Sequence, residues 1–330
     1  MEHNNIEHIF NWLDGASEQA QHQMNITYLD GLALVLEFLF TQKATEEMTD
    51  LLKQQLQKKA TEIDIDNFEK EEIRKGIQLA ALKGMKGATQ QQHLITPDTV
   101  AMFVGYLANK LIQSNQQIRL FDPACGTGNL LTAVINNLRV NAIPFGSEVD
   151  PSLIKIALMS ANLQQIDLEL FHQDSLRPFL MEPGDLIVSD LPVGYYPDDI
   201  VANDYELKAD EGHSYAHHLL IEQSMKYTSP GGYLMFIIPN FLFDSDEASK
   251  LNAFIQKNAH ILGLVQLPTS IFKTENNAKS IFILQKKGQN TKPPKEALMA
   301  KLPSFKNASA MNDILVKINQ WFKKEGISQT

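Results

Sequence analysis

A chain of 330 residues, 44% hydrophobic and 21% charged, is long enough for a full catalytic domain beside a smaller one, and it carries no low-complexity tract or internal repeat. A single cysteine, Cys125, excludes an internal disulfide framework and suits a reducing cytosol. The net charge of −10 is uneven: residues 1–88 carry 9 Lys/Arg against 15 Asp/Glu, residues 89–285 carry 11 against 21, and residues 286–330 carry 9 against 3, so basic surface concentrates in the tail.

The first twelve residues, MEHNNIEHIFNW, have neither a basic nor an apolar leader pattern, so no signal peptide is expected. LDGLALVLEFLF, the greasiest stretch, is short and contains Asp30 and Glu37, which suits a buried helix rather than a membrane span. A cytoplasmic protein without membrane association is the expectation. Residues 1–88 read as a helical N-terminal domain: ITYLDGLALVLEFLF, EEMTDLLKQQLQKKA and DNFEKEEIRKGIQLAALKGMKG space their apolar residues by three and four. KGMKGATQQQHLITP, residues 83–97, supplies the glycines and polar residues of a domain joint.

From residue 117 onward, short β-rich runs alternate with helical ones: IRLFD, IPFGSEV, LELFH, DLIVSD, GYLMFIIP, ILGLVQL and KSIFILQ. That alternation predicts an α/β domain over 89–288 with a seven-stranded, mostly parallel sheet. PTSIFKTENNA is too short for a crossover helix, so the last strand is expected to be antiparallel. A basic extension over 289–330 follows, with one strand-like run, ALMAKLPSF, and an amphipathic helix, NDILVKINQWFKK, whose Trp321 and Phe322 read as docking residues.

IRLFDPACGTGNLLTAVINNL combines a strand, an acid, a glycine-rich turn and a helix. Gly126 and Gly128 let the backbone turn sharply, and the helix from Asn129 offers free N–H groups to an anionic moiety. A nicotinamide fingerprint would need a third glycine where Leu131 stands, and a phosphate loop would need Gly-Lys-Ser/Thr. S-adenosylmethionine (SAM) is the remaining reading. Glu148, ending the next strand, can accept both ribose hydroxyls, Val149 can flank the adenine, and Asp174 can accept from its amino group. A zinc site on His213, His217 and His218 is not expected, since no cysteine or HExxH pattern accompanies them.

In order, LITPDTV, DPACGTGNL, GSEVDP, QDSL, DLIVSDLPVG, PGGYLMFIIPNFLF, LVQLPTSIF and SIFILQK closely resemble the adenine-specific DNA methyltransferases, above all the modification subunit of type I restriction systems. The similarity spans roughly residues 93–288. It implies a Rossmann-like SAM-dependent methyltransferase fold with SAM as cofactor, S-adenosylhomocysteine as product and no metal. It also implies cofactor contacts from Thr96, Asp122, Pro123, Ala124, Gly126, Thr127, Gly128, Asn129, Leu130, Glu148, Val149, Asp174 and Ser175, with Asp190 and Pro192 from the loop after the fourth strand. Cys125 belongs to the same motif wording and reads as a small residue beside the cofactor.

In that family this loop reads Asn/Asp-Pro-Pro-Tyr/Phe, often followed by glycine. Here it is Asp190-Leu191-Pro192-Val193-Gly194, without the first proline and the aromatic. The resemblance implies that Asp190 and the carbonyl of Leu191 polarise an amino group, with Pro192 shaping the loop and Tyr195 or Tyr196 as the candidate stacking ring. YYPDDIVANDYELKADEG adds net negative charge just after this loop, unfavourable toward phosphates. DNA adenine is the leading substrate, gripped with a separate specificity protein. The alternatives are RNA, a protein side-chain amide, or a SAM-binding scaffold that has lost transfer.

Overall fold

The computed structural model describes residues 2–86, 96–112, 117–272, 274 and 277–327. Four helices come first: α1 (Glu2–Met24), α2 (Tyr28–Thr41), α3 (Asp50–Ala60) and α4 (Lys70–Lys86). Thr27 and Thr49 begin α2 and α3 by accepting the N–H of Asp30 and Leu52, which satisfies backbone donors that a helix start leaves free. Apolar stripes of the four pack on one another, with Leu32, Leu36, Leu52 and Leu56 fully buried. The expected joint falls partly on α4, and its boundary at residues 88 and 89 lies outside the described residues.

The α/β part runs α5 (Asp98–Leu111), β1 (Ile118–Asp122), α6 (Asn129–Asn137), β2 (Ala142–Glu148), α7 (Pro151–Leu163), β3 (Glu169–His172), β4 (Gly184–Asp190), α8 (Asp199–Ala202), α9 (Ala216–Lys226), β5 (Thr228–Pro239), α10 (Ala248–Asn258), β6 (Ala259–Gln266), β7 (Lys279–Lys286), β8 (Leu298–Lys301) and α11 (Ala308–Lys324). The strands form one sheet in the order β3-β2-β1-β4-β5-β7-β6-β8. β7 runs antiparallel between β5 and β6, as its short approach loop requires, and the other pairings are parallel.

The expected seven strands are present, but the sheet has eight. The apolar run in the C-terminal extension adds β8 alongside β6, an edge strand of four residues that leaves Met299 70% exposed. α11 covers the adjoining face with Ile318 and Phe322 fully buried, and Trp321 donates its indole N–H to the Glu296 carbonyl at 2.8 Å. Among the described residues no single helix is long and apolar enough to cross a membrane.

The helical region and the α/β part share a core, because Ile156, Met159 and Leu163 of α7 pack into the helices' apolar cluster. A buried polar network crosses the same seam. Arg74 of α4 is 1% exposed and donates to Glu71 (2.9 and 2.7 Å), to Asp98 at the start of α5, and to Asn129 Oδ1 at the start of α6 (2.7 Å). Burial would lift the Glu71 carboxyl, but Arg74 more than reverses this and holds it below the ordinary carboxylate value.

Candidate active site

In an open parallel sheet, ligands settle beyond the carboxyl ends of the strands where the strand order reverses. Here that place lies between β1 and β4, and a cleft of about 300 Å³ opens there. Acids converge on it from consecutive strand ends: Asp122 closes β1, Glu148 closes β2, Asp174 follows β3, and Asp190 closes β4.

The turn after β1 gives the cleft its shape. Gly126 and Gly128 take φ of 55° and 76°, the left-handed region that glycine enters without a Cβ penalty. A Cβ on Gly126 would point into open space, whereas one on Gly128 would come 3.2 Å from Ala157 Cβ on α7. Glu148 reaches over this turn, Oε2 accepting the Gly126 N–H at 3.0 Å and Oε1 the N–H groups of Val149 and Asp150 at 2.9 Å. Gly128→Ala is expected to cost about 1–2 kcal/mol in urea denaturation, the penalty of a left-handed alanine. A loss below about 0.5 kcal/mol would mean that the turn relaxes.

Asp122 is 1% exposed and accepts the Ala124 N–H (3.0 Å) and the Ser189 hydroxyl (2.8 Å). Burial pushes its carboxyl up to about 7, helped by Asp190 and Glu148. Burial likewise pushes the Cys125 thiol up, so it lies in the cleft as a protonated, unreactive group.

Of the cofactor residues expected from sequence, Thr96, Asp122, Pro123, Ala124, Gly126, Thr127, Asn129, Leu130, Glu148, Val149, Asp174, Ser175, Asp190 and Pro192 all line the cleft, while Gly128 stands behind it against α7. Asp174 is already engaged on both oxygens: one accepts the Leu176 N–H at 2.9 Å, the other the Tyr196 hydroxyl. A carboxylate has about four lone-pair sites, so capacity for a further donor remains.

The altered loop is held on both sides. Leu191 is 1% exposed, and its N–H donates to the Ile237 carbonyl at 3.1 Å, a bond that a proline could not make. Buried packing and this bond substitute for the fixed φ of the missing proline. Further on, the Tyr196 N–H donates to the Ser214 carbonyl (2.8 Å) and the Ala216 N–H to the Gly194 carbonyl (2.9 Å). Tyr196 lines the cleft on the Asp174 side. Tyr195 does not line it: 64% exposed, it stacks on Tyr215 at a ring separation of 5.1 Å.

Sequence reasoning missed Lys279. It opens β7, and because β7 is antiparallel its first residue lies at the same end of the sheet as the last residue of β4. Lys279 Nζ donates to Asp190 Oδ1 at 2.6 Å, and the Thr96 hydroxyl donates to Oδ2 at 2.9 Å. Thr96 is itself braced, its carbonyl accepting from Gln78 of α4 (3.1 Å) and from Asn129 (3.2 Å). The signal available was a lone lysine beginning an apolar strand, which names no partner 89 residues away.

The acidic stretch past the loop is more nearly neutral than its composition implies. Asp198 meets Arg177, Glu206 meets Lys257 and Asp210 meets Lys250, while Asp199 shares a hydrogen bond with the His213 ring. The three helix-region histidines do not converge: His213 is exposed, whereas burial holds His217 and His218 neutral, with values of about 3 and 4.

The family described as N-6 DNA Methylase matches residues 85–325, and the YtxK N-terminal helical domain matches residues 7–85. The chain is 47% identical over 329 residues to the uncharacterized protein YtxK of Bacillus subtilis (strain 168), covering 98% of this chain and 100% of that protein. A solved structure from Listeria monocytogenes, assigned to the class I SAM-dependent methyltransferases, superposes with a TM-score of 0.90 at 44% identity, covering 97% of this chain and 99% of that one. The type I restriction enzyme EcoEI methylase subunit of Escherichia coli is 23% identical over 262 residues, 73% of this chain, and this chain spans about half (52%) of that subunit's length.

Proposed function

This chain belongs to the N-6 DNA methylase family of SAM-dependent methyltransferases, and we propose that its cleft moves a methyl group from SAM to the N6 amino group of adenine in DNA. The observation that carries this reading is the meeting of Asp190 with the Gly126–Gly128 turn and Glu148 in one cleft. The residues present fit the cofactor: the open space above Gly126 leaves room for a ligand against the backbone, and Glu148, already accepting three N–H groups beside that turn, keeps capacity for a ribose hydroxyl. When bound, SAM supplies a methyl group activated on a sulfonium, for in-line displacement without a metal.

The chain's own part is to hold and polarise the acceptor. An aromatic amine delocalises its lone pair into the ring. Two hydrogen-bond acceptors on its hydrogens restore nucleophilicity and stabilise the positive charge that develops. In this reading Asp190 is one acceptor and the Leu191 carbonyl the other, with the loop held rigid by the Leu191 anchor. Tight grip on the duplex is expected to need a partner protein, since the basic surface lies in the tail rather than beside the loop, while the chain alone is expected to transfer slowly but measurably at high DNA concentration. A second reading, SAM binding without transfer, is favoured by the Lys279 ammonium on Asp190.

Asp122 ties cofactor affinity to pH. With its value raised to about 7, the folded protein keeps a proton between about pH 4 and pH 7 that the unfolded chain has lost. Its contribution to stability is therefore full below about pH 4 and declines as pH rises to 7. A cation bound nearby favours the carboxylate, so SAM affinity is expected to rise several-fold from about pH 6 to about pH 8, and Asp122→Asn to remove the slope. Calorimetry in buffers of different ionisation enthalpy reads both affinity and proton release. A flat wild-type profile would contradict the assignment.

The proposal is tested by offering labelled SAM to unmethylated genomic DNA, total RNA and cellular protein in parallel. The expected result is label in DNA that disappears with Asp190→Ala, SAM binding being confirmed for both proteins. Label only in RNA or protein replaces the substrate. No label despite bound SAM supports the second reading.

A further inference from the structure

Lys279 and Asp190 are 17% and 13% exposed, and their charged atoms lie 2.6 Å apart on the wall of the cleft. The other carboxylate oxygen is committed to Thr96, and the Thr96 carbonyl is committed to Gln78 and Asn129, so the acid is fixed in place. A methyl acceptor that takes Asp190 Oδ1 from the cleft by donating an N–H competes with the ammonium for that oxygen. If the acceptor brings nothing for the ammonium, a largely buried cation loses its partner, which is strongly unfavourable. If it carries a hydrogen-bond acceptor beside its amino group, it inserts between the two residues and leaves both satisfied.

Resting on the adenine reading above, we propose that Lys279 determines specificity by donating to the ring nitrogen beside N6, N1 or N7, while Asp190 accepts from N6. An asparagine side chain reads adenine by presenting an acceptor and a donor side by side, one to the amino group and one to the ring nitrogen. Asp190 and Lys279 present the same pair from two strands. The arrangement admits an amino group set next to an acceptor on a planar edge and rejects an isolated amine. It also gives the lysine a positive role at a site where a cation beside the catalytic acid would otherwise oppose the reaction.

The test uses random-sequence duplex libraries in which deoxyadenosine is kept, or replaced throughout by its 1-deaza or 7-deaza analogue. Each is offered to wild type, Lys279→Met and Lys279→Arg with labelled SAM, cofactor binding being checked by calorimetry. Wild type is expected to lose at least about tenfold in transfer on one analogue and little on the other, the scale of one bidentate base contact. Lys279→Met is expected to fall by a similar factor on deoxyadenosine and to show no further loss on the sensitive analogue. Lys279→Arg should retain the discrimination. Equal transfer to all three libraries by wild type overturns the role of Lys279 while leaving the adenine reading intact, and that arm needs no variant to fold. Discrimination by Lys279→Met equal to wild type does the same. Absence of label in the deoxyadenosine library itself overturns the adenine reading, and this inference with it.

Discussion

Replacing Arg74 with methionine is expected to destabilise the protein by about 3 kcal/mol, the low end of the cost of removing one partner from a buried ionic group. The low end applies because Glu71 and Asp98, the acids that lose their cation, are 29% and 32% exposed and recover part of their hydration. Asn129 Oδ1 loses its donor as well, and Asn129 opens the helix beneath the glycine-rich turn. The defect should therefore spread beyond the seam between the helices and the sheet, as weakened SAM binding. Because the native state holds Glu71 below its ordinary value, the stabilisation it draws from Arg74 is present above about pH 4 and fades as pH falls further. Urea denaturation at pH 7 and at pH 3 should show the gap between wild type and variant narrowing in acid. A loss under about 1 kcal/mol at pH 7 would mean that the network is ornamental to stability.

Asp190→Ala is expected to lower methyl transfer by about 10²–10³-fold, the effect of removing one preorganised electrostatic contact from a developing charge. The change removes the acceptor together with its Thr96 contact, and takes away the charge opposite Lys279. Some stability should go with it, since a 17% exposed ammonium loses its counter-charge. Adding Lys279→Met should recover that stability without recovering transfer, which separates the structural part of the loss from the chemical one. Full activity in Asp190→Ala would move the acceptor site elsewhere in the cleft.

Most of the architecture was legible because it is periodic. The runs ending in Asp122, Glu148 and Asp190 alternate with helical segments, and short loops left β7 only an antiparallel course. Other features carry no such pattern. β8 is four residues long, and ALMAKLPSF gave no cue that it would pair with β6. Arg74 read as one charge on an amphipathic helix, although it is buried against three partners from two other segments and its own turn. The convergence of the acids was legible from their shared place at strand ends. The contacts that restrain them, Lys279 on Asp190 and Tyr196 on Asp174, arise from tertiary placement and leave no local trace.

The central claim is tested most directly by digesting unmethylated DNA to nucleosides after incubation with the protein and SAM, and measuring their masses. The account predicts N6-methyldeoxyadenosine with wild-type protein and its absence with Asp190→Ala. Unmodified deoxyadenosine throughout, from protein shown by calorimetry to hold SAM, would contradict it.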